Sequence, residues 1–304
     1  MIINEVSVQW AETLSAVMFK EYHPWVNLIF FIFAIGVTML SNDPIFVGVT
    51  LIFAWAYSIL LKGKAALKYN LLLTVPIMVI MTLINAVFVH NGATILFYIS
   101  DLRITLEAVL FGMVSALILC SVVIWFSCFS EIMTSDKLIF IFGKARPVLG
   151  LTFSMIFRFI PLLRERFKEI RMGQIAMGRD GDRSFVGRIR QFVKEISILI
   201  SWSLESSIET ADSMEARGYG LKGRTSFNLF RFDSRDRMMM TVIVILGIIV
   251  SVACIMGRTD IYYYPVITFK SLDLFRSAAL TAYVLLLGIP IYTDLTAVKR
   301  WRHA

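Results

Sequence analysis

The chain has 304 residues, of which 58% are hydrophobic and only 17% charged, and its mean hydropathy is +0.74. Soluble domains average about 45–50% apolar and about 25% charged residues, and they leave roughly a quarter of their unfolded surface in contact with water. The apolar excess therefore indicates contact with lipid. It also excludes disordered, collagen-like and disulfide-rich secreted proteins.

The formal net charge is +8 at neutral pH. In a membrane protein such an excess usually lies on the cytoplasmic side, where it sets orientation and meets anionic lipid, so nucleic acid is not an expected partner. The three cysteines, Cys120, Cys128 and Cys254, all lie in apolar segments. We predict that they are small buried hydrophobic residues rather than disulfide partners or metal ligands.

Six apolar segments are long enough to cross a bilayer, or nearly so. In chain order they are residues 25–40, 45–61, 71–89, 104–129, 238–256 and 275–292. Between the first two, Asp43 is predicted to cap the second helix, with Pro44 at its first position. The sequence thus predicts an all-α membrane protein with about six transmembrane helices.

The basic residues predict the orientation of these spans. Lys62, Lys64 and Lys68 follow the second span, three more occupy the C-terminal tail, and most of the 30 lysines and arginines lie between residues 131 and 237. Because short cytoplasmic loops are enriched in lysine and arginine, both termini and the long segment are predicted to be cytoplasmic.

Three regions follow from this pattern. Residues 1–130 form a membrane domain of about four spans, residues 131–237 a cytoplasmic domain of long amphipathic helices, and residues 238–304 the C-terminal membrane helices.

Two long helices are predicted in the cytoplasmic domain, each about 45–50 Å long if it has roughly 30 residues. Pro161 predicts a kink or a join in the first, and Ser184 is a candidate N-cap for the second. Each has one narrow apolar stripe, which predicts packing on the other helix and on the membrane bundle. The stripes are Ile156, Ile160, Leu163, Phe167, Ile170, Gln174 and Met177 in the first helix, and Phe185, Ile189, Phe192, Ile196, Ile200, Leu204, Ile208 and Ala211 in the second.

Both long helices end in a glycine beside an arginine. The first ends Ala176-Met177-Gly178-Arg179 and the second ends Ala216-Arg217-Gly218. Glycine suits the left-handed position that closes a helix, and a cation is favoured at the negative end of the helix dipole. One such ending is ordinary. Two, on two long helices of a hydrophobic protein, indicate docking into an acidic groove of a soluble partner.

These endings, with residues 158–163 and 203–205 that lead into them, resemble the transmembrane T component of energy-coupling factor (ECF) transporters, the EcfT/CbiQ family. In that family each coupling helix ends in Ala-Arg-Gly, and the two tips insert into grooves on two ATP-binding-cassette (ABC) ATPase subunits. The second tip matches in full. The first has Met177 where the family has arginine, and Arg179, one residue later, could supply the charge.

The resemblance implies a non-catalytic membrane subunit of an ABC transporter in the inner membrane of a prokaryotic cell. It would couple ATP hydrolysis by a homo- or heterodimer of ATPases to movement of a membrane-embedded substrate-binding S component. No cofactor would bind to the chain itself, because ATP and Mg²⁺ lie on the ATPases. In this family the S component selects the substrate, so a vitamin and a transition-metal ion such as cobalt both remain open.

Small residues recur every four positions in the fourth span, at Gly112, Ala116 and Cys120. Such a stripe lets another helix approach closely. It predicts either an internal packing face or, following the resemblance, the contact with the S component.

Other chemistry has little support in the sequence. His23, His90 and His303 are far apart and lack further metal ligands at suitable spacing, so no metal site is predicted. Neither a phosphate-binding loop nor a nucleophile elbow occurs. Glu107 is the main charge within the spans, either as an interfacial residue or as a proton relay. The alternatives are a stand-alone secondary carrier, a membrane-embedded enzyme with a docking domain, or a structural anchor.

Overall fold

The computed structural model describes residues 18–89, 92–99, 102–145, 147–178, 184–221, 230–257, 261–264 and 273–303. The helices of this part are α1 Met18–Glu21, α2 Pro24–Leu40, α3 Pro44–Lys62, α4 Lys64–Phe88, α5 Leu106–Ile132, α6 Ser135–Ala145, α7 Pro147–Ala176, α8 Phe185–Ala216, α9 Ser234–Ile255 and α10 Leu274–His303. A two-stranded antiparallel hairpin, β1 Ile95–Ile99 and β2 Leu102–Thr105, lies between α4 and α5. The chain forms two compact units: Met1–Thr134 with Phe230–Ala304, here the membrane unit, and Ser135–Leu229, here the helical unit.

The protein is an all-α membrane protein, as predicted. Five helices of the described part are long and apolar enough to span a bilayer: α3, α4, α5, α9 and the Leu274–Thr296 part of α10. The first predicted span, residues 25–40, is α2, a shorter apolar helix of 17 residues. The hairpin was not predicted, because its strands are too short to stand out between two long apolar segments.

The turn between α2 and α3 forms as the sequence predicts. Asp43 is the N-cap of α3, its carboxylate accepts a hydrogen bond from the backbone N–H of Ile45 (N···O 3.0 Å), and Pro44 follows at the first position. An N-cap oxygen satisfies one of the backbone donors that a helix start leaves unpaired. At the other end of α3, Gly63 takes a positive φ of 68° and joins α3 directly to α4.

Aromatic side chains fill the core of the membrane unit. Trp125 of α5 lies against Phe30 and Phe31 of α2 and against Tyr57 of α3, with ring centroids 5.8–6.1 Å apart. Phe30 and Phe31 meet Trp125 edge to face, an arrangement that stabilises a core beyond the area that it buries. The helices around this cluster are therefore held by interlocking rings as well as by aliphatic packing.

A buried ion pair joins the start of α3 to the start of α10. Arg276 donates from Nε to Asp43 Oδ2 (3.1 Å), and a second guanidinium nitrogen contacts the same oxygen. Nearby, the hydroxyl of Tyr263 donates to the carbonyl of Asn42 (2.8 Å), and burial raises the pKa of Tyr263 to about 12. The hydroxyl therefore stays protonated and remains a donor, so the segment before α10 is tied to the same turn.

A second buried carboxylate, Asp294 of α10, was not predicted. It lies inside the last span and accepts a hydrogen bond at Oδ1 from the backbone N–H of Phe19 in α1 (2.8 Å). The expectation that Glu107 is the main charge within the spans is therefore wrong. Asp294 has a local role, because this hydrogen bond ties the last span to α1.

The helical unit consists of α6, α7 and α8. The antiparallel helices α7 and α8 pack together, as predicted, through Phe159 stacked on Trp202 (centroids 6.1 Å) and Phe167 against Phe192 (6.1 Å). The helix α7 has 30 residues and continues through Pro161, so the predicted join is absent. Ser184 occupies the N-cap of α8, but its side chain makes no capping hydrogen bond.

Candidate functional site

The end of α8 is a complete Schellman stop. Arg217 is the C-cap and Gly218 follows with φ of +80°. The N–H of Gly218 donates to the carbonyl of Glu215 (2.9 Å), and the N–H of Tyr219 donates to that of Met214 (3.0 Å). This pair of bonds satisfies carbonyls that a helix end leaves free, and it requires a left-handed residue at position 218. A Cβ there would be strained and would lie 3.0 Å from Leu221 Cδ1.

The described part of the α7 end has the same geometry. Gly178 has φ of +72°, and its N–H donates to the carbonyl of Ile175 (2.9 Å). Met177 thus takes the position at the end of α7 that Arg217 takes at the end of α8. Arg179, the candidate substitute for the missing arginine, lies outside the described residues.

The two helix ends differ in chemistry at this shared position. Arg217 is exposed, and within the described part of the chain its guanidinium makes no ion pair. The side chain of Met177 is 60% exposed. The chain thus offers one cationic and one apolar side chain, each carried on a rigid helix end whose glycine leaves the backbone open to close approach.

Most of the apolar stripe of α8 is exposed, so within the helical unit α7 covers less of it than predicted, although Phe192 contacts Phe167 of α7. Most of the large side chains of the stripe are exposed, among them Leu204 at 63%. The others are Phe185, Ile189, Phe192, Ile200 and Ile208.

A neighbouring face of α8 is covered instead. Glu195 is buried, and Gln191, Leu199 and Trp202 are half-buried along the same side. The Gln191 side-chain amide donates to the Glu195 carboxylate (3.2 Å), which helps to satisfy the buried acid. Successive helix positions point about 100° apart. Covering the face that carries Glu195 therefore turns the apolar stripe outward.

The family of this chain follows from its similarity to known proteins. A family model described as cobalt transport protein, CbiQ, matches residues 18–227. This chain is a T component of the EcfT/CbiQ family. The energy-coupling factor transporter transmembrane protein EcfT of Brevibacillus brevis is 29% identical over 242 residues, which is 75% of this chain and 90% of that protein. The EcfT of Listeria innocua is 27% identical over 230 residues, 70% of this chain and 85% of that protein.

A third relative, the EcfT of Streptococcus equi, is 27% identical over 182 residues, 56% of this chain and 68% of that protein. The family match ends at residue 227, so it includes both helix ends but neither α9 nor α10. The tips of this T component therefore lie in the part of the chain that defines its family.

The small-residue stripe of α5 is not available to a membrane partner. Gly112, Ala116 and Cys120 are all buried within the chain. A Cβ on Gly112 would lie 2.9 Å from the Cβ of Asn85 and 3.0 Å from the Cα of Thr82, both in α4. The stripe of this T component is therefore an internal packing face, which is the first of the two roles that the sequence allowed, and its three residues are buried rather than exposed to an S component.

Metal ligands do not converge in the described part of the chain, where no group of three or more His, Cys, Asp or Glu side chains is placed to hold a metal ion. The three cysteines are buried, and none of them forms a disulfide bond with another described residue. His23 has a structural role, because its Nδ1 accepts a hydrogen bond from the N–H of Trp25 (3.3 Å) and thereby caps α2. His90 and the side chain of His303 lie outside the described residues.

Proposed function

We propose that this chain couples ATP hydrolysis by two ABC ATPase subunits to the movement of a membrane-embedded, substrate-binding S component. The transported substrate is a micronutrient, either a vitamin or a transition-metal ion, which the S component selects. The T component has no catalytic role, and ATP and Mg²⁺ stay on the ATPases. The termini and the helical unit lie in the cytoplasm of a prokaryotic cell. The many lysines and arginines between residues 131 and 237 support this orientation.

The observation that carries this proposal is the repeated stop at the ends of α7 and α8. Both stops place a glycine at positive φ after an exposed C-cap residue, Met177 or Arg217. A rigid end with one projecting side chain fits a socket on a folded partner. Because Met177 is apolar and Arg217 is charged, the two sockets need different linings, which favours two different ATPase subunits over two identical ones.

The length of α7 and α8 supports transmission of motion from these ends. They have 30 and 32 residues, about 45 Å at 1.5 Å per residue. Two aromatic contacts join the helices, so we expect them to move as a pair and to carry a displacement of the tips along their length. We assign the S-component contact to the open stripe of α8, in place of the buried stripe of α5.

A stand-alone carrier or membrane enzyme has less support. Such proteins hold polar or charged groups inside the bundle for substrate or proton transfer. In the described part of the membrane unit, Asp43 is paired with Arg276, Glu107 is bonded to Thr94, and Asp294 holds the start of α1. Each of these carboxylates is bonded to a structural partner, so the three do not form a reactive cluster.

Co-purification tests the proposed assembly. The affinity-tagged chain, extracted gently from its native membrane, should retain two ABC ATPase subunits and a small hydrophobic membrane protein, each identified by mass spectrometry. The same chain alone in liposomes should transport neither vitamins nor cobalt. Uptake by the isolated chain without ATPases would contradict the proposal and support the carrier.

A charge on the α8 stripe should detach the S component selectively. Loss of a buried leucine contact is worth about 1.5–3 kcal/mol, or roughly 10- to 100-fold in affinity. Leu204→Glu should therefore lose the S component in co-purification while the ATPases remain bound.

The matched control for this stripe variant is Ile198→Glu, which makes the same apolar-to-acid change at an exposed position on the other side of α8 from the stripe. It should keep both partners. Equal retention of the S component by Leu204→Glu and Ile198→Glu would show that the stripe faces something else.

A further inference from the structure

The hairpin between α4 and α5 has one covered strand and one open strand. β2 packs on α4 and α5, and its Ile104 and Thr105 are buried. Among the residues that the structure describes, β1 pairs with β2 alone, in a sheet of two strands. Its register is interrupted between Ile95 and Phe97, where a bulge accommodates Leu96. Two-stranded hairpins are marginally stable alone, so something besides β2 is expected to cover β1.

The base of the hairpin is held firmly on α5. The Glu107 carboxylate accepts hydrogen bonds from the hydroxyl of Thr94 (2.6 Å) and from its backbone N–H (3.1 Å). Gly92 lies so close that a Cβ there would overlap Glu107 Oε2. Through these contacts Glu107 has a structural role at the start of α5. It holds the base of the hairpin in place between the end of α4 and the start of α5.

The open strand carries large apolar side chains. Leu96 is 51% exposed and Tyr98 is 64% exposed, and Ile95 is exposed beside them. Tyr98 lies opposite the exposed Arg103 of β2 in the strand register. The exposed surface of α4 continues to its last residue, Phe88, just before the hairpin. The apolar surface of β1 is therefore continuous with the lipid-facing surface of a membrane span.

Two physical constraints fix the depth at which such a strand can lie. In water, an apolar edge strand is a template for aggregation. In the hydrocarbon core, each unpaired backbone group on the free edge costs several kcal/mol. The interfacial zone satisfies both constraints, because water and headgroups bond the free edge while acyl chains cover the side chains. Tyrosine and arginine are the residues that anchor at this level.

We propose that the β1–β2 hairpin is a membrane-interface anchor that lies in the headgroup region of one leaflet. Leu96 inserts toward the acyl chains. Tyr98 and Arg103 reach the headgroups. The anchor fixes the ends of α4 and α5 at a set depth in the bilayer.

Depth-dependent fluorescence quenching tests this anchor in the full chain. Leu96→Cys and Tyr98→Cys are each labelled with an NBD fluorophore in nanodiscs of phosphatidylcholine and phosphatidylglycerol, and folding is checked by gel filtration. Nitroxides are placed either near the lipid headgroup or at the acyl-chain end. Cys120, Cys128 and Cys254 are buried, so the unsubstituted chain gives the labelling background.

Both hairpin labels should be quenched about twofold more by the headgroup nitroxide than by the chain-end nitroxide, as interfacial anchors require. Two exposed control positions bracket this result. Val79→Cys in α4 should show the reverse preference, and Leu221→Cys after α8 should be quenched by neither. Hairpin labels that behave like the label at position 221 would overturn the proposal. So would disulfide-linked dimers formed by the unlabelled Leu96→Cys or Tyr98→Cys chain, together with the absence of quenching in the labelled chain.

Discussion

Replacing Arg217 by glutamate should abolish ATP-driven uptake while the chain still inserts in the membrane. Arg217 is the exposed C-cap of α8, and the backbone bonds of the stop come from Gly218 and Tyr219 rather than from the arginine side chain. The substitution therefore reverses the charge and leaves the helix end folded. An arginine anchor at an interface is worth about 2 kcal/mol or more, which corresponds to about 30-fold in affinity.

Two control variants separate the role of this arginine from general charge and from general damage to the tips. Arg188→Glu makes the same charge change at an exposed position near the other end of α8 and should keep uptake. Met177→Leu changes the equivalent position of α7 without changing charge and should also keep uptake. Arg217→Met, which makes the α8 tip resemble the α7 tip, should lose it.

The measurements are uptake in cells or proteoliposomes and co-purification with the ATPases. The anchor role of Arg217 would be wrong if Arg217→Glu retained both uptake and ATPase binding at the level of Arg188→Glu. If Arg188→Glu also lost uptake and ATPase binding, the loss would be caused by the net charge of α8 rather than by the position of Arg217.

Removing the positive partner of the buried pair, by Arg276→Gln, should destabilise the membrane unit by about 3–5 kcal/mol. The side chains of Arg276 and Asp43 are 7% and 0% exposed, so the remaining carboxylate has no access to bulk water. A buried charge left without its partner retains its full desolvation penalty. Thermal unfolding in detergent, monitored by light scattering or by cysteine exposure, should show a large decrease in Tm.

The double variant Asp43→Asn with Arg276→Gln should recover most of this stability. Asparagine can still cap α3, and neither residue then carries a buried charge. As a control, Glu169→Gln breaks the exposed pair of Arg166 and Glu169 in α7 (2.6 Å) and should change stability by less than about 1 kcal/mol. Equal effects of Arg276→Gln and Glu169→Gln would refute the importance of burial.

Much of the local structure could be predicted from residue order. The cap at Asp43, the two long helices, and the glycines at 178 and 218 all depend on interactions between residues at most five positions apart. Hydrophobic length likewise indicated the spans, because a helix that crosses a bilayer needs about 20 apolar residues. Even so, Pro161 lies inside a continuous helix, since packing in the helical unit outweighs the preference of proline for a helix start.

The sequence by itself thus determined the membrane class, the helices and their glycine-closed ends. Only the tertiary structure decided which apolar faces are covered. Gly112 is covered by α4, while Leu204 is left open. The reason is that lipid, a neighbouring helix and a protein partner are all apolar, so a stripe shows that a face is apolar without showing what covers it. Pairs such as Asp43 with Arg276, 233 positions apart, depend on helix packing that no local spacing encodes.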